Sequence, residues 1–228
     1  MVGCLVIHGY TGSPDEVQPL VDYLKESTDW DIRVPILPGH GRQLQLKDKT
    51  YENWLQEAEH QLGQLMKKHD TVYAIGFSMG GMIAAYLTAK YKLDKLVLLA
   101  AARKYISLKQ LTIDICKVLL DALKGKLNDN EFYVNLNEKV SDVPLKANIE
   151  FLKLVRYTRP YLKEIDSPVL IAHGRQDSIV PAKTTYYLDE EIKSAQKEIV
   201  LFDQSNHLIC LGKDKDVLNT IVHDFLID

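Results

Sequence analysis

The chain has 228 residues and a mass of 26.0 kDa, with 46% apolar residues, a formal net charge of −3 and a sequence pI near 6.2. That length suits one well-buried core and is short for two, so a single domain over residues 1–228 is expected. A slightly acidic chain without a concentrated Lys/Arg stretch gives no footing for a nucleic-acid partner, and no apolar run approaches the roughly 18 to 20 residues of a membrane span.

Met1 to Ile7 lacks the charged start and small-residue cleavage site of a leader and runs straight into His8-Gly9, so it reads as a core strand. After the loop His8-Gly9-Tyr10-Thr11-Gly12, Ser13 and Glu16 have the spacing of a capping box and Pro14 suits a first helical position. Val17, Leu20, Val21 and Leu24 then supply the apolar face of a helix. Ile32 to Leu37 reads as a strand ending in the turn Pro38-Gly39-His40-Gly41, and Tyr51, Trp54, Leu55, Ala58, Leu62, Leu65 and Met66 mark an amphipathic helix. Thr71 to Ile75 is a strand, Gly76-Phe77-Ser78-Met79-Gly80 a tight turn, and Gly81 to Leu87 the start of a helix, followed by a strand from Lys95 to Ala100. Strands alternating with helices predict an α/β fold with a mostly parallel sheet covered on both faces.

The rhythm breaks between about 103 and 165. Ile106 to Leu123 predicts one or two helices and Pro144 to Leu162 another, with Ile149, Leu152, Val155 and Tyr157 on its apolar face and Asn128-Asp129-Asn130 as an intervening turn. Helices inserted between core strands have no sheet position to fill, so this segment is expected to fold over the strand ends as a cap. The sheet resumes with Val169 to Ala172 and Glu198 to Phe202, and a last helix carries Val217, Leu218, Ile221, Val222 and Phe225. Cys4, Cys116 and Cys210 are far apart without a C-x-x-C pair, which predicts a reducing, cytoplasmic setting and no metal site.

The strand-turn-helix setting of Gly76 to Gly80 is the context of a nucleophile elbow, in which a serine on a sharp turn is exposed to a histidine and to a helix N-terminus. The partners follow in the chain order that architecture needs. Asp177 comes after the strand ending at Ala172, and His207 after the strand ending at Phe202. Asp203 is a rival acid four residues before that histidine. His8 is expected to support its loop by hydrogen bonding, His40 to be structural, and His173 to stand beside Asp177. Cys210 follows the proposed base without an elbow and reads as a packed thiol.

Together, the His8–Gly12 loop, Pro38-Gly39-His40-Gly41, Gly76 to Gly81, His173-Gly174-Arg175-Gln176-Asp177 and Ser205-Asn206-His207 resemble the α/β-hydrolase superfamily. Within it the chain is similar to small bacterial carboxylesterases and monoacylglycerol lipases. The resemblance implies Ser78 as nucleophile, His207 as general base and then acid, and Asp177 as the carboxylate fixing the histidine tautomer. It places the oxyanion hole at the N–H groups of Tyr10 and Met79. It implies no cofactor, a small-molecule ester as the partner, and no stable membrane insertion; the oligomeric state stays open. Family members have one or two strands before the His-Gly loop that this chain lacks, so the sheet is expected to be shortened at one edge.

The expected activity is hydrolysis of short- to medium-chain carboxylic esters or monoacylglycerols through an acyl-Ser78 intermediate. Ile106, Leu111, Ile115, Leu119, Leu152 and Val155 are candidate walls for the acyl chain, though the same stripe also packs the cap. A peptidase or amidase and an acyltransferase would use the same triad, and a noncatalytic binding protein on this fold is a further alternative.

Overall fold

The computed structural model describes residues 1–103 and 143–228, and the elements are numbered over these. They run β1 (Val2–Ile7), a 3₁₀ turn (Pro14–Glu16), α1 (Gln18–Ser27), β2 (Asp31–Arg33), α2 (Tyr51–Met66), β3 (Thr71–Phe77), α3 (Met79–Tyr91) and β4 (Lys95–Leu99). After the undescribed residues come α4 (Leu145–Thr158), a second 3₁₀ turn (Arg159–Glu164), β5 (Val169–Gly174), α5 (Thr184–Glu191), β6 (Lys197–Phe202) and α6 (Lys215–Ile227).

The described strands form one parallel sheet in the order β2-β1-β3-β4-β5-β6. Its four inner strands are buried almost without interruption, as parallel strands covered on both faces must be, which is why their sequences are continuous apolar runs rather than alternations. The edge at β2 is only three residues long. A strand over Ile32 to Leu37 does not form. Pairing with β1 stops at Arg33, and Leu37 is instead held through its N–H by the His8 ring.

The register aligns the strand ends. Ile7 lies opposite Gly76, Phe77 opposite Leu99, Leu99 opposite Ala172, and Gly174 opposite Phe202. Residues leaving β1, β3, β5 and β6 therefore emerge along one carboxyl edge. The chain reverses its direction of travel across the sheet between β1 and β3, and the crevice at such a switch point is where open α/β sheets place their ligand sites.

α3 has no polar face. Every residue from Met79 to Ala89 is buried, because the helix lies against the sheet on one side and is covered by α4 and its 3₁₀ extension on the other. Tyr86, itself buried, donates its hydroxyl to Glu59 while its ring meets Tyr157 and Tyr161.

Several expected local features form differently. Ser13 caps Asp15, and the Glu16 carboxylate turns back to the N–H of Gly9, so no capping box closes and the first turn is 3₁₀. α4 buries Ala147, Asn148, Phe151, Leu154 and Val155, whereas Ile149 and Tyr157 are exposed, so its inward face lies about one residue away from the expected stripe. Val217 of α6 is also exposed. The predicted helices over 106–123 and the turn at 128–130 lie outside the described residues. Among the described residues, no helix is long and apolar enough to cross a membrane.

The two roots of the inserted segment meet at one carboxylate. Arg103 donates from Nε to Glu191 Oε2 at 2.9 Å, and Arg159 donates from Nη2 to Glu191 Oε1 at 2.6 Å. Arg103 is buried and also lies over the Tyr187 ring. The anchorage thus joins the end of β4, the end of α4 and the end of α5.

Candidate active site

Ser78 joins β3 to α3 with φ 52° and ψ −114°, a conformation a non-glycine residue adopts only under constraint. The constraint is a set of backbone bonds. Ser78 N–H donates to Leu99 O at 2.8 Å, while Ser78 O accepts from Gly81 and Ala102. The flanking glycines are required by close approach: a Cβ at Gly76 would lie 2.2 Å from Gly80 O, and one at Gly80 would lie 2.3 Å from Ile7 O. The spacing of the pentapeptide therefore records how tightly α3 seats on β3 and β1.

Three side chains from three strand ends then line up. His207 Nδ1 is 2.7 Å from Asp177 Oδ2, and His207 Nε2 is 3.0 Å from Ser78 Oγ; all three residues are buried. A carboxylate only accepts, so Nδ1 carries the proton and Nε2 is left to accept from the serine hydroxyl. This arrangement polarises Oγ as a nucleophile. The His207 ring rests on Phe77, with ring centroids 5.1 Å apart.

Asp177 is itself held at both oxygens. Oδ1 accepts the N–H groups of Ile179 and Val180, each at 2.8 Å. Oδ2 also faces His173 Nε2 at 3.0 Å, and the same nitrogen is 2.8 Å from Val180 O, so it must carry a proton. Burial alone would raise the Asp177 pKa, but His207 and His173 outweigh it and hold the carboxyl well below its ordinary range. The rival Asp203 points into solvent and pairs with Arg175 at 2.7 Å.

The loop after β1 is braced at successive peptides. Leu37 N–H donates to His8 Nε2 at 3.1 Å, so Nδ1 bears the proton and donates to Gly9 O at 2.8 Å. Gly9 O and the N–H of Tyr10 belong to one planar trans peptide and point in opposite directions, so drawing the oxygen toward His8 aims the N–H away from it. Met79, the first residue of α3, offers an N–H that has no partner within its own helix. Burial lowers the His8 pKa to about 4 and, reinforced by His8, the His40 pKa to about 3, so both rings are neutral near pH 7.

Tyr10 also connects this loop to α4. Its hydroxyl donates to Asn148 Oδ1 at 3.0 Å, and its ring stacks on Phe151 with centroids 5.0 Å apart and planes at 20°. Val155 is buried and Leu152 half-buried, both packed into the core. Ile106, Leu111, Ile115 and Leu119 lie outside the described residues. Asn148 and Phe151 are neighbours of the site that sequence reasoning passed over, and Glu16 is one it read only as a helix cap. Phe151 was recoverable from helical spacing, whereas nothing local marks Asn148.

Cys4 and Cys210 are buried thiols whose pKa values burial pushes up to about 12, which keeps them protonated and unreactive. Among the described residues, no three His, Cys, Asp or Glu side chains gather as metal ligands.

Comparison with known proteins gives concordant matches. The family model described as serine aminopeptidase S33 (Hydrolase_4) matches residues 3–214. The chain is 26% identical over 232 residues to the thermostable monoacylglycerol lipase of Bacillus sp. (strain H-257), covering 95% of this chain and 87% of the relative. It is 22% identical over 227 residues to the carboxylesterase of Bacillus subtilis (strain 168), covering 97% and 91%. The solved monoacylglycerol lipase of Paleococcus ferrophilus superposes with a TM-score of 0.74 at 16% identity, covering 99% of this chain and 93% of that one.

Proposed function

The chain belongs to the serine aminopeptidase S33 (Hydrolase_4) family of α/β-hydrolases, and from that premise we propose that it is a serine hydrolase cleaving carboxylic esters. The observation that carries the reading is the unbroken run from Asp177 through His207 to Ser78, at 2.7 and 3.0 Å. The relatives named as a monoacylglycerol lipase and a carboxylesterase support an ester over an amide.

In this reading Ser78 Oγ attacks the ester carbonyl as His207 Nε2 takes its proton. Negative charge then develops on the carbonyl oxygen and is met by the N–H groups of Tyr10 and Met79. The tetrahedral intermediate collapses as His207 returns the proton to the departing alcohol, leaving acyl-Ser78. Water activated by the same nitrogen releases the acid and restores the serine. Asp177 keeps Nδ1 protonated throughout and stabilises the imidazolium. Two fixed donors matter because the loss of one typically costs about 3 to 4 kcal/mol of transition-state stabilisation.

The proposed cap is the insertion at about 103–165 of the single domain, with Leu152 and Val155 as the described members of the proposed acyl wall. Short- to medium-chain esters or monoacylglycerols are the substrate class. The test is hydrolysis of a p-nitrophenyl ester series from acetate to laurate by wild type and Ser78→Ala, with aminoacyl p-nitroanilides alongside. Ester turnover lost in the variant supports the reading. Anilide turnover exceeding ester turnover would move the assignment to a peptidase.

A further inference from the structure

One buried ionisable group next to the site has no part in the proton relay. The Glu16 side chain is buried at the start of the segment leading to α1, with Oε2 2.9 Å from the N–H of Gly9. The carboxyl fills the place where residue 12 would carry a side chain: a Cβ at Gly12 would lie 1.9 Å from Oε2 and 2.3 Å from Oε1. A Cβ at Gly9 would meet the same oxygen at 3.1 Å. Both glycines of the His8–Gly12 loop are thus shaped around this one carboxyl. On its far side the loop is held by Gly41, whose N–H donates to Gly12 O at 3.1 Å.

We propose that Glu16 is a positioning residue for the oxyanion hole, its carboxyl fixing the His8–Gly9 peptide from below and thereby the direction of the Tyr10 N–H. The proposal rests on the oxyanion reading above and adds a residue to it. The loop has two consecutive peptides to fix. His8 Nδ1–H holds the Gly9–Tyr10 peptide through Gly9 O, and Glu16 holds the preceding one through Gly9 N–H. Gly9 itself supplies no side chain to restrict its dihedrals, so without the second hold the first peptide is free to swing.

The buried setting of Glu16, without a cation beside it among the described residues, holds the carboxyl toward its neutral form. Burial is the leading cause that raises the Glu16 pKa to about 8, the Gly9 N–H opposes it, and Asp15 adds to it. The ionisable groups facing Glu16 are Asp15 in the same turn and the buried Cys210 thiol beyond β6. Among the described residues no Lys or Arg pairs with it in a salt bridge. Ionisation places an unneutralised charge against Gly12, and the carboxylate is drawn toward water with the turn attached to it. Glutamine matches the protonated acid in shape and keeps the carbonyl acceptor.

The experiment compares wild type, Glu16→Gln, Glu16→Ala and Gly12→Ala in p-nitrophenyl ester hydrolysis from pH 6 to 10, with the amide signal of Gly9 followed in glycine-¹⁵N-labelled protein. Glu16→Ala is expected to lose about tenfold or more in kcat with KM within about threefold, a fraction of what loss of a whole donor costs. Gly12→Ala, which pushes the carboxyl aside chemically intact, is expected to resemble it. Glu16→Gln is expected to restore kcat and to lack the wild-type decline above pH 8. The Gly9 amide should titrate near pH 8 in wild type and stay constant in Glu16→Gln. Unchanged kcat in folded Glu16→Ala, or a Gly9 amide indifferent to pH and to both substitutions, overturns the proposal. If the wild type turns over no ester while the Gly9 amide titrates, the esterase reading fails and the brace stands.

Discussion

The Tyr10 hydroxyl meets Asn148 Oδ1 at 3.0 Å, joining the loop after β1 to α4 across 138 positions of sequence. The residue proposed to supply an oxyanion N–H from its backbone thus uses its side chain to seat the described part of the cap. Tyr10→Phe keeps the N–H and the stack on Phe151 but strips the bond. It is expected to cost about 1 kcal/mol of stability, with kcat changed less than severalfold. Urea denaturation alongside ester kinetics checks this; a kcat loss approaching that of Ser78→Ala would mean the hydroxyl itself takes part in the chemistry.

Ser78→Ala removes only Oγ from a turn whose backbone is held by Leu99, Gly81 and Ala102. Ester turnover should fall by at least about 10³-fold with the unfolding midpoint nearly unchanged. Fluorophosphonate labelling of wild type, absent in the variant, gives a substrate-independent check.

Asp177→Asn should lower kcat about 10⁴-fold, because an amide no longer fixes the proton on His207 Nδ1. A stability loss should accompany it here. The carboxylate accepts from two backbone N–H groups and faces two imidazoles, and an asparagine has one oxygen for them. Thermal melts that match the wild type would show that His173 and the Ile179–Val180 turn do not depend on the charge.

Gly80→Ala is expected to be among the costliest single changes in the chain. Its methyl would lie 2.3 Å from Ile7 O and 2.5 Å from His8 O, and backbone carbonyls in a central strand cannot give way as a side-chain tip can. A loss of about 3 kcal/mol or more, or failure to accumulate folded protein, is the expected result. Wild-type stability in this variant would show that α3 is free to shift on the sheet.

Stability should fall toward acid and, by a separate route, toward alkali. His8 and His40 have folded pKa values near 4 and near 3 against an ordinary value of 6.5, so the unfolded chain binds protons first and stability is lost as pH drops below about 6.5. Glu16 works in the other direction. Its folded value near 8 lies above the ordinary 4.5, so its contribution is fully present below about 4.5 and is lost as pH rises to about 8. Urea midpoints measured from pH 4 to 9 should therefore be less alkali-sensitive in Glu16→Gln than in wild type; parallel profiles would remove Glu16 from this account.

The elbow was readable in the sequence because its constraints are local. A strand, a strained serine and two close-packed glycines all fall within ten residues. Asp177 and His207 were readable as the residues brought to Ser78 because they follow two further apolar runs. Glu16 was misread for the opposite reason. Ser13 and Glu16 have capping-box spacing, but the carboxyl finds its acceptor-seeking partner at Gly9, seven residues back, once the loop folds over it. The inward face of α4 was misplaced because Leu and Ile occur all round that helix, while the face that packs inward carries Phe151, stacked on Tyr10. α5 left little trace, since Thr184, Thr185, Tyr186 and Tyr187 are weak helix formers.

Glu191 receives both Arg103 and Arg159, so the end of β4 and the end of α4 share one point of anchorage. Two ties are thus carried by different residues: the arginines hold the roots at Glu191, while Asn148 and Phe151 seat α4 on Tyr10 beside the site. Loss of the Glu191 carboxylate would free both arginines in one step and leave Tyr10 to hold α4, so one residue outside the triad governs how firmly the insertion is rooted.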